Sequence, residues 1–274
     1  MKKQSITAEI FSKKSYLCIG LDTDWRKLPP CVHKEKDPIF AFNRRIIDAT
    51  ANHCVAYKLN LAFYESAGPK GWESLAQTLA YIPKNIFTIA DAKRGDIGNT
   101  SDLYAYTFFK QYPFQAVTVS PYMGKDSIEP FLNYADKWTI LLALTSNRGS
   151  EDFQHLVVGA DNKPLYQVVV ERAMQWGSSE QLMFVVGATQ PEGVAAVRRL
   201  APDYFLLVPG YGAQKGDLEA VSKAGLTRFG GLLVNASRAI LYASSDNNFD
   251  KEAQKQAQAI AMQMSYYLEK YACQ

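Results

Sequence analysis

The sequence predicts a (β/α)8 TIM barrel, a single α/β domain over residues 1–274 with an extra C-terminal helix. Three observations carry this reading. Short apolar runs recur eight times, longer amphipathic segments fill the gaps, and no linker, low-complexity tract or repeat divides the chain. Runs such as LMFVVGA and YFLLVPG are almost continuously hydrophobic, the pattern of strands buried on both faces of a parallel sheet. Barrels of this kind fold as one unit of about 250 residues, so the length calls for no second domain.

In chain order, the first strand is expected within 16–22 and the first helix over 38–52. Strand 54–60 leads to helix 63–81, strand 86–93 to helix 101–111, and strand 116–121 to helix 125–134. After the fifth strand, 139–146, a polar link at 149–162 is longer than its counterparts and reads as a surface excursion before helix 163–176. Strand 182–188 precedes helix 191–200, strand 204–209 precedes helix 217–224, and 230–235 is the eighth strand. Ala253, Ala257, Ile260, Met264, Leu268 and Tyr271 then recur at helical spacing, an apolar stripe expected to pack a final helix on the barrel.

Composition excludes several classes. With 47% hydrophobic and 21% charged residues the chain can bury a core and is not disordered. A formal charge of +3 without a Lys/Arg-dense tract offers no footprint for nucleic acid, so an anionic partner should be small. The first fifteen residues carry lysines but no apolar core, unlike a secretory signal, and no run approaches the roughly 20 apolar residues of a membrane span. Cys18, Cys31, Cys54 and Cys273 form no CxxC pair, and His33, His53 and His155 never fall at metal-ligand spacing. A cytoplasmic, reducing location and no metal site are the expectations.

Chemistry in such barrels sits at the carboxyl ends of the strands. The polar residues ending the apolar runs are Asp22, Lys58 with Asn60, Asp91 with Lys93, Ser120 and Ser146, with Thr189 just past the sixth run. Side chains two apart on a strand share a face, so Asp91 and Lys93 are expected to point together and Lys58 to lie beside them. With Asp96 the set alternates in sign: Lys58, Asp91, Lys93, Asp96. Opposite charges within about 4–6 Å favour the charged forms, so the lysines are expected to act as acids rather than as nucleophilic amines. A buried ion-pair network that only locks the strands is the bland alternative. The loops after strands seven and eight, Pro209-Gly210-Tyr211-Gly212-Ala213-Gln214 and Asn235-Ala236-Ser237-Arg238, stand where this fold usually cradles phosphate. Glycine amides and the forked Arg238 cation suit a phosphorylated ligand.

The run TIADAKRGDIGNT, residues 88–100, resembles the signature of the orotidine 5'-phosphate decarboxylase family. IGLDTD, AYKLNLAFYE, SPYMG, LALTSN, GSEDFQ, VGAT and VPGYGAQ are similar to segments of its longer bacterial subgroup, so the resemblance runs from Ile19 to Arg238. Thr23 and Arg148 stand where that subgroup would carry proline. The resemblance implies that Asp91, Lys93 and Lys58 are the catalytic network, with Asp96 and Thr100 reaching into the partner subunit's site across a homodimer. It likewise implies that Asp22 binds a ribose hydroxyl, that Ser146 reads the pyrimidine amide, and that Gln214 and Arg238 hold the phosphate.

The implied activity is a carboxy-lyase reaction, orotidine 5'-phosphate to UMP and CO2, the last step of de novo pyrimidine nucleotide synthesis. Loss of CO2 from C6 leaves an electron pair in the ring plane with no π system to absorb it, so a cation must wait beside C6. Lys93 would supply that charge and then the proton, without metal, flavin or pyridoxal. The rivals are an Mg2+-dependent aldolase like hexulose-phosphate synthase, separable by chelation, and a Schiff-base aldolase using Lys58 or Lys93, separable by borohydride trapping. A non-catalytic nucleotide-binding barrel is the third, which the intact Asp91, Lys93 and Asp96 disfavour.

Overall fold

The computed structural model describes residues 1–211 and 217–272. Among them, eight strands close a parallel barrel, and each overlaps one of the eight apolar runs of the sequence, with the third, fifth and eighth barrel strands reaching one residue beyond theirs. They are β1 (Leu17–Gly20), β2 (Ala56–Asn60), β3 (Phe87–Arg94), β4 (Ala116–Val119), β5 (Trp138–Leu144), β8 (Leu182–Val186), β9 (Phe205–Pro209) and β10 (Leu232–Ala236), while β6 (Val157–Val158) and β7 (Lys163–Pro164) form a separate antiparallel hairpin. Each barrel strand pairs with its sequence neighbours in parallel register, β5 with β8 across the hairpin, and β10 returns to β1. Strand residues from both faces are buried, which is why the runs are apolar throughout rather than alternating.

The outer layer comprises α2 (Pro38–Thr50), α3 (Leu61–Glu65), α4 (Gly68–Tyr81), α5 (Gly98–Tyr106), α6 (Lys125–Leu132), α7 (Leu165–Ala173), α8 (Pro191–Leu200), α9 (Leu218–Gly225), α10 (Arg238–Leu241) and α11 (Phe249–Tyr271). Asp37 starts α2 by accepting the Phe40 N–H, with Pro38 at the first helical position, a start that fixes backbone direction locally. On α11, Ala253, Ala257, Ile260, Met264 and Leu268 are buried as the stripe predicts, and Phe249 stacks on Phe42 of α2 at 4.8 Å. Tyr271 departs from the stripe: it is only half-buried, and its hydroxyl donates to Glu219.

Three elements differ from expectation. The predicted helix 63–81 is two helices, because Gly68 takes a left-handed φ of 66° and Pro69 brings no N–H to continue the ladder. The third predicted helix begins at Gly98 rather than 101 and ends in a π-helical turn, Thr107–Gln111. The polar link at 149–162 is not structureless: it holds a 3-10 turn and one arm of the β6–β7 hairpin. A further helix, α1 (Lys3–Lys13), has too few apolar residues to show a stripe, yet its Ile6 and Ile10 are buried. It lies by the amino ends of the strands, where Trp138 donates its indole N–H to the Met1 carbonyl and Lys3 reaches the Asp203 carbonyl. One end of the barrel is thereby packed shut, and the carboxyl end is left for chemistry.

Candidate active site

At the carboxyl ends, β2 and β3 place Lys58 and Asp91 against each other: Lys58 Nζ donates to Asp91 Oδ2 at 2.7 Å. Asp22, just past β1, brings its Oδ1 to 3.5 Å from the same ammonium, and Lys93 Nζ reaches Asp91 Oδ1 at 2.5 Å. The chain of charges is therefore Asp22, Lys58, Asp91, Lys93. Lys58 and Asp91 are buried, whereas the Lys93 side chain is 50% exposed and opens to the barrel mouth. Burial pulls the Lys58 ammonium toward neutrality, but the carboxylates of Asp22 and Asp91 outweigh it and raise its pKa above the ordinary lysine value. Burial likewise works against the Asp91 carboxylate, yet the charges and hydrogen bonds of Lys58 and Lys93 hold it well below the usual range. An ammonium so held is a poor Schiff-base nucleophile, which weighs against the aldolase reading for Lys58.

Asp96 does not join this cluster. It lies beyond the strand end, its Oδ1 accepts the Ile97 N–H at 2.8 Å, and among the described residues it makes no ion pair. Within one chain the fourth charge of the cluster is Asp22, beside Lys58. Thr100 is exposed on the first turn of α5, and Ser146 is half-buried just past β5, beside Gly187, where a Cβ would stand 2.8 Å from that of Ser146. Arg238 is exposed at the start of α10. Gln214 lies outside the described residues.

Asn60, Ser120 and Thr189 are not gathered into the cluster. Asn60 caps α3 through the Ala62 N–H, the Ser120 N–H pairs with the Arg94 carbonyl, and Thr189 is exposed.

Two side chains at the end of the eighth barrel strand reach the Asp22 carboxylate, one directly and one through the other. Ser237 Oγ donates to Asp22 Oδ2 at 2.7 Å, and Asn235 Nδ2 donates to Ser237 Oγ at 3.3 Å. Gly20 makes this contact feasible, since a Cβ there would stand 1.9 Å from Ser237 Oγ. Thr118, on β4, is a further contributor that carries no charge to mark it in the sequence; its hydroxyl donates to Asp91 Oδ1 at 3.1 Å. A cleft of about 1120 Å³ lies apart, between the segment after β1 and α4, lined by Trp25, Arg44 and Lys70 among others. Its cations are exposed and its Asp37 carboxylate is already taken by Ser74 and Gln77, so the chemistry is assigned to the charged mouth.

Removing one partner of a buried ion pair costs roughly 3–5 kcal/mol, because the other charge is left uncompensated. Lys58→Met is therefore expected to lose about 3 kcal/mol in urea unfolding at pH 7. Asp91 titrates lower in the folded chain, so its contribution is present above about pH 4 and fades as pH falls through the folded value. Lys58 titrates higher when folded, so its contribution is present below about pH 10 and fades as pH rises through the folded value. The difference between wild type and variant should be widest between those limits; a gap under about 1 kcal/mol there would show that the cluster adds no stability.

Comparison with known proteins identifies the family to which this geometry belongs. A model of the Orotidine 5'-phosphate decarboxylase / HUMPS family matches residues 15–252. The chain is 54% identical over 273 residues to an orotidine 5'-phosphate decarboxylase of Christiangramia forsetii, covering 98% of this chain and 100% of the relative. It is 53% identical to one of Phocaeicola vulgatus over the full length of both. Among solved structures, Leishmania donovani OMP decarboxylase superimposes with a TM-score of 0.80 at 39% identity, over 96% of this chain and 99% of that one. Relatives named as decarboxylases over their whole length set aside the aldolase and the non-catalytic barrel. The chain belongs to the orotidine 5'-phosphate decarboxylase family, and its reaction is the carboxy-lyase step that turns orotidine 5'-phosphate into UMP in pyrimidine synthesis.

Proposed function

We propose that Lys93 drives this decarboxylation as the cation beside C6 and as the donor of the proton that replaces CO2. The observation that carries the reading is the contrast between the two lysines on Asp91: Lys58 is buried between two carboxylates, whereas Lys93 faces the open mouth. The C6–carboxyl bond breaks, its electron pair stays on C6, and CO2 departs. A proton then passes from Lys93 Nζ to C6, and water at the mouth reprotonates the amine. A fixed ammonium aimed where charge develops is commonly the largest catalytic contribution, because no reorganisation is needed at the moment of reaction. Lys58 holds Asp91, and Asp91 holds Lys93 in place. Asp91 also sets a negative charge beside the departing carboxylate, which favours its loss.

In this reading Asp22 binds a ribose hydroxyl, Ser146 the pyrimidine amide, and Gln214 and Arg238 the phosphate. Asp96 and Thr100 complete the site of a second copy in a homodimer. Supporting this, Ile97, Leu103 and Tyr106 are exposed apolar side chains at the start of α5 and on it, and Tyr122 and Met123 are exposed in the loop leading into α6, which packs on α5. One domain over 1–274 and a cytoplasmic location complete the proposal; the thiols of Cys18, Cys31 and Cys54 are free, and no helix of the described residues is long and apolar enough to cross a membrane.

Charge and proton both come from Lys93, so no cofactor enters. Orotidine 5'-phosphate absorbance is expected to fall on adding the protein, at a rate unchanged by exhaustive EDTA treatment. A rate abolished by EDTA and restored by Mg2+ would overturn the metal-free assignment.

A further inference from the structure

Strand β3 leaves regular pairing where it carries the lysine. Ile89 and Ala90 pair with Ala116 and Val117, and the next pair is Arg94 with Val119, so residues 91–93 stand opposite the single residue Thr118. An excess of this kind disrupts the ladder and re-aims the side chains of the bulged strand. Lys93 lies in the bulge with φ 48°, a left-handed conformation that non-glycine residues rarely take and that persists only when surrounding contacts enforce it. The contact between Asp91 and Lys93 thus arises from the bulge rather than from plain two-residue alternation.

The backbone N–H of Lys93 finds its acceptor in a side chain: it donates to Thr118 Oγ1 at 2.9 Å. The same hydroxyl donates its own proton to Asp91 Oδ1 at 3.1 Å, and that oxygen also accepts Lys93 Nζ at 2.5 Å. Thr118 is 1% exposed, so water has no access to replace the hydroxyl. One buried group therefore touches the lysine at both ends, directly at its backbone and through Asp91 at its ammonium.

We propose that Thr118 is a positioning residue for the decarboxylation, its hydroxyl holding the β3 bulge in the left-handed turn that aims Lys93 at the reacting carbon. The role needs a group that accepts and donates at once, which a hydroxyl does and a methyl does not. Thr118 acts through Lys93 and Asp91, and the proposal rests on the assignment of Lys93 as the proton donor.

Thr118→Ser and Thr118→Ala both lose the γ-methyl and differ only in the hydroxyl, so their ratio isolates it. Displacing a reacting group by about 1 Å can cost 10²-fold. Thr118→Ala is accordingly expected to show kcat about 100-fold below Thr118→Ser, with KM for orotidine 5'-phosphate changed less than about threefold in both. Lys93→Ala, assayed alongside, separates the two layers of the argument. If Lys93→Ala keeps its activity, the proton-donor assignment fails and the role of Thr118 with it. If Lys93→Ala is inactive while the serine and alanine variants share one kcat per folded molecule, the positioning role alone is overturned. Should Thr118→Ala fail to fold, Thr118→Val preserves the side-chain shape without the hydroxyl and is read against Thr118→Ser by the same criterion.

Discussion

Lys93→Ala is expected to lower kcat/KM on orotidine 5'-phosphate by about 10⁴-fold or more, while UMP binding weakens less than about tenfold. The size follows from the two duties placed on one ammonium. A positioned general acid contributes roughly 10²–10⁴-fold, and removing a single preorganised charge or donor costs roughly 10²–10³-fold. The two need not multiply, because both pass through the same group. Product binding should survive because the ribose and phosphate contacts proposed for Asp22, Gln214 and Arg238 lie on other loops. Lys58 stands only one carboxylate away, yet it is buried between Asp22 and Asp91 and cannot take over the proton transfer. Single-turnover absorbance measures the first quantity and UMP titration the second. A Lys93→Ala enzyme within tenfold of wild type would move the cation's role to another residue.

Activity is expected to return when two inactive variants are refolded together. Asp96 caps the Ile97 amide and makes no ion pair among the described residues of its own chain, so its carboxylate is available to a second copy. In a two-fold dimer the contribution is reciprocal. Lys93→Ala and Asp96→Asn homodimers should each be nearly inactive. In the heterodimer one site carries both lesions, while the other joins an intact Lys93 to an intact Asp96 of the opposite subunit. Random reassembly of equal amounts makes half the dimers mixed, with one good site in two, so about a quarter of wild-type activity per site should reappear. If heterodimers form and the mixture stays as inactive as its parents, Asp96 acts within its own chain.

The barrel was legible because its cause is local. A strand buried on both faces must be apolar at every position, and each of the eight runs becomes a strand in place. Lys58, Asp91 and Lys93 were legible because charge inside such runs is costly unless it is paired. Helix α1 was not: Ile6 and Ile10 make too short a stripe, and the helix is held by contacts to Trp138 and Asp203, far along the chain. Nor was the contact of Ser237 with Asp22, which joins the two ends of the chain and for which the bare Gly20 leaves room.

By itself, then, the sequence determined the architecture and that Lys58, Asp91 and Lys93 stand at the carboxyl ends of its strands, since periodicity and the expense of burying charge act along a few neighbouring positions. The tertiary structure alone decided how those charges are joined. Asp22 flanks Lys58, and the bulge at 91–93 stands opposite Thr118, whose hydroxyl accepts the Lys93 N–H. Both depend on the registers of β1, β2, β3 and β4 in a closed barrel, and such registers are fixed by packing between segments distant in the chain rather than by any residue's own preference.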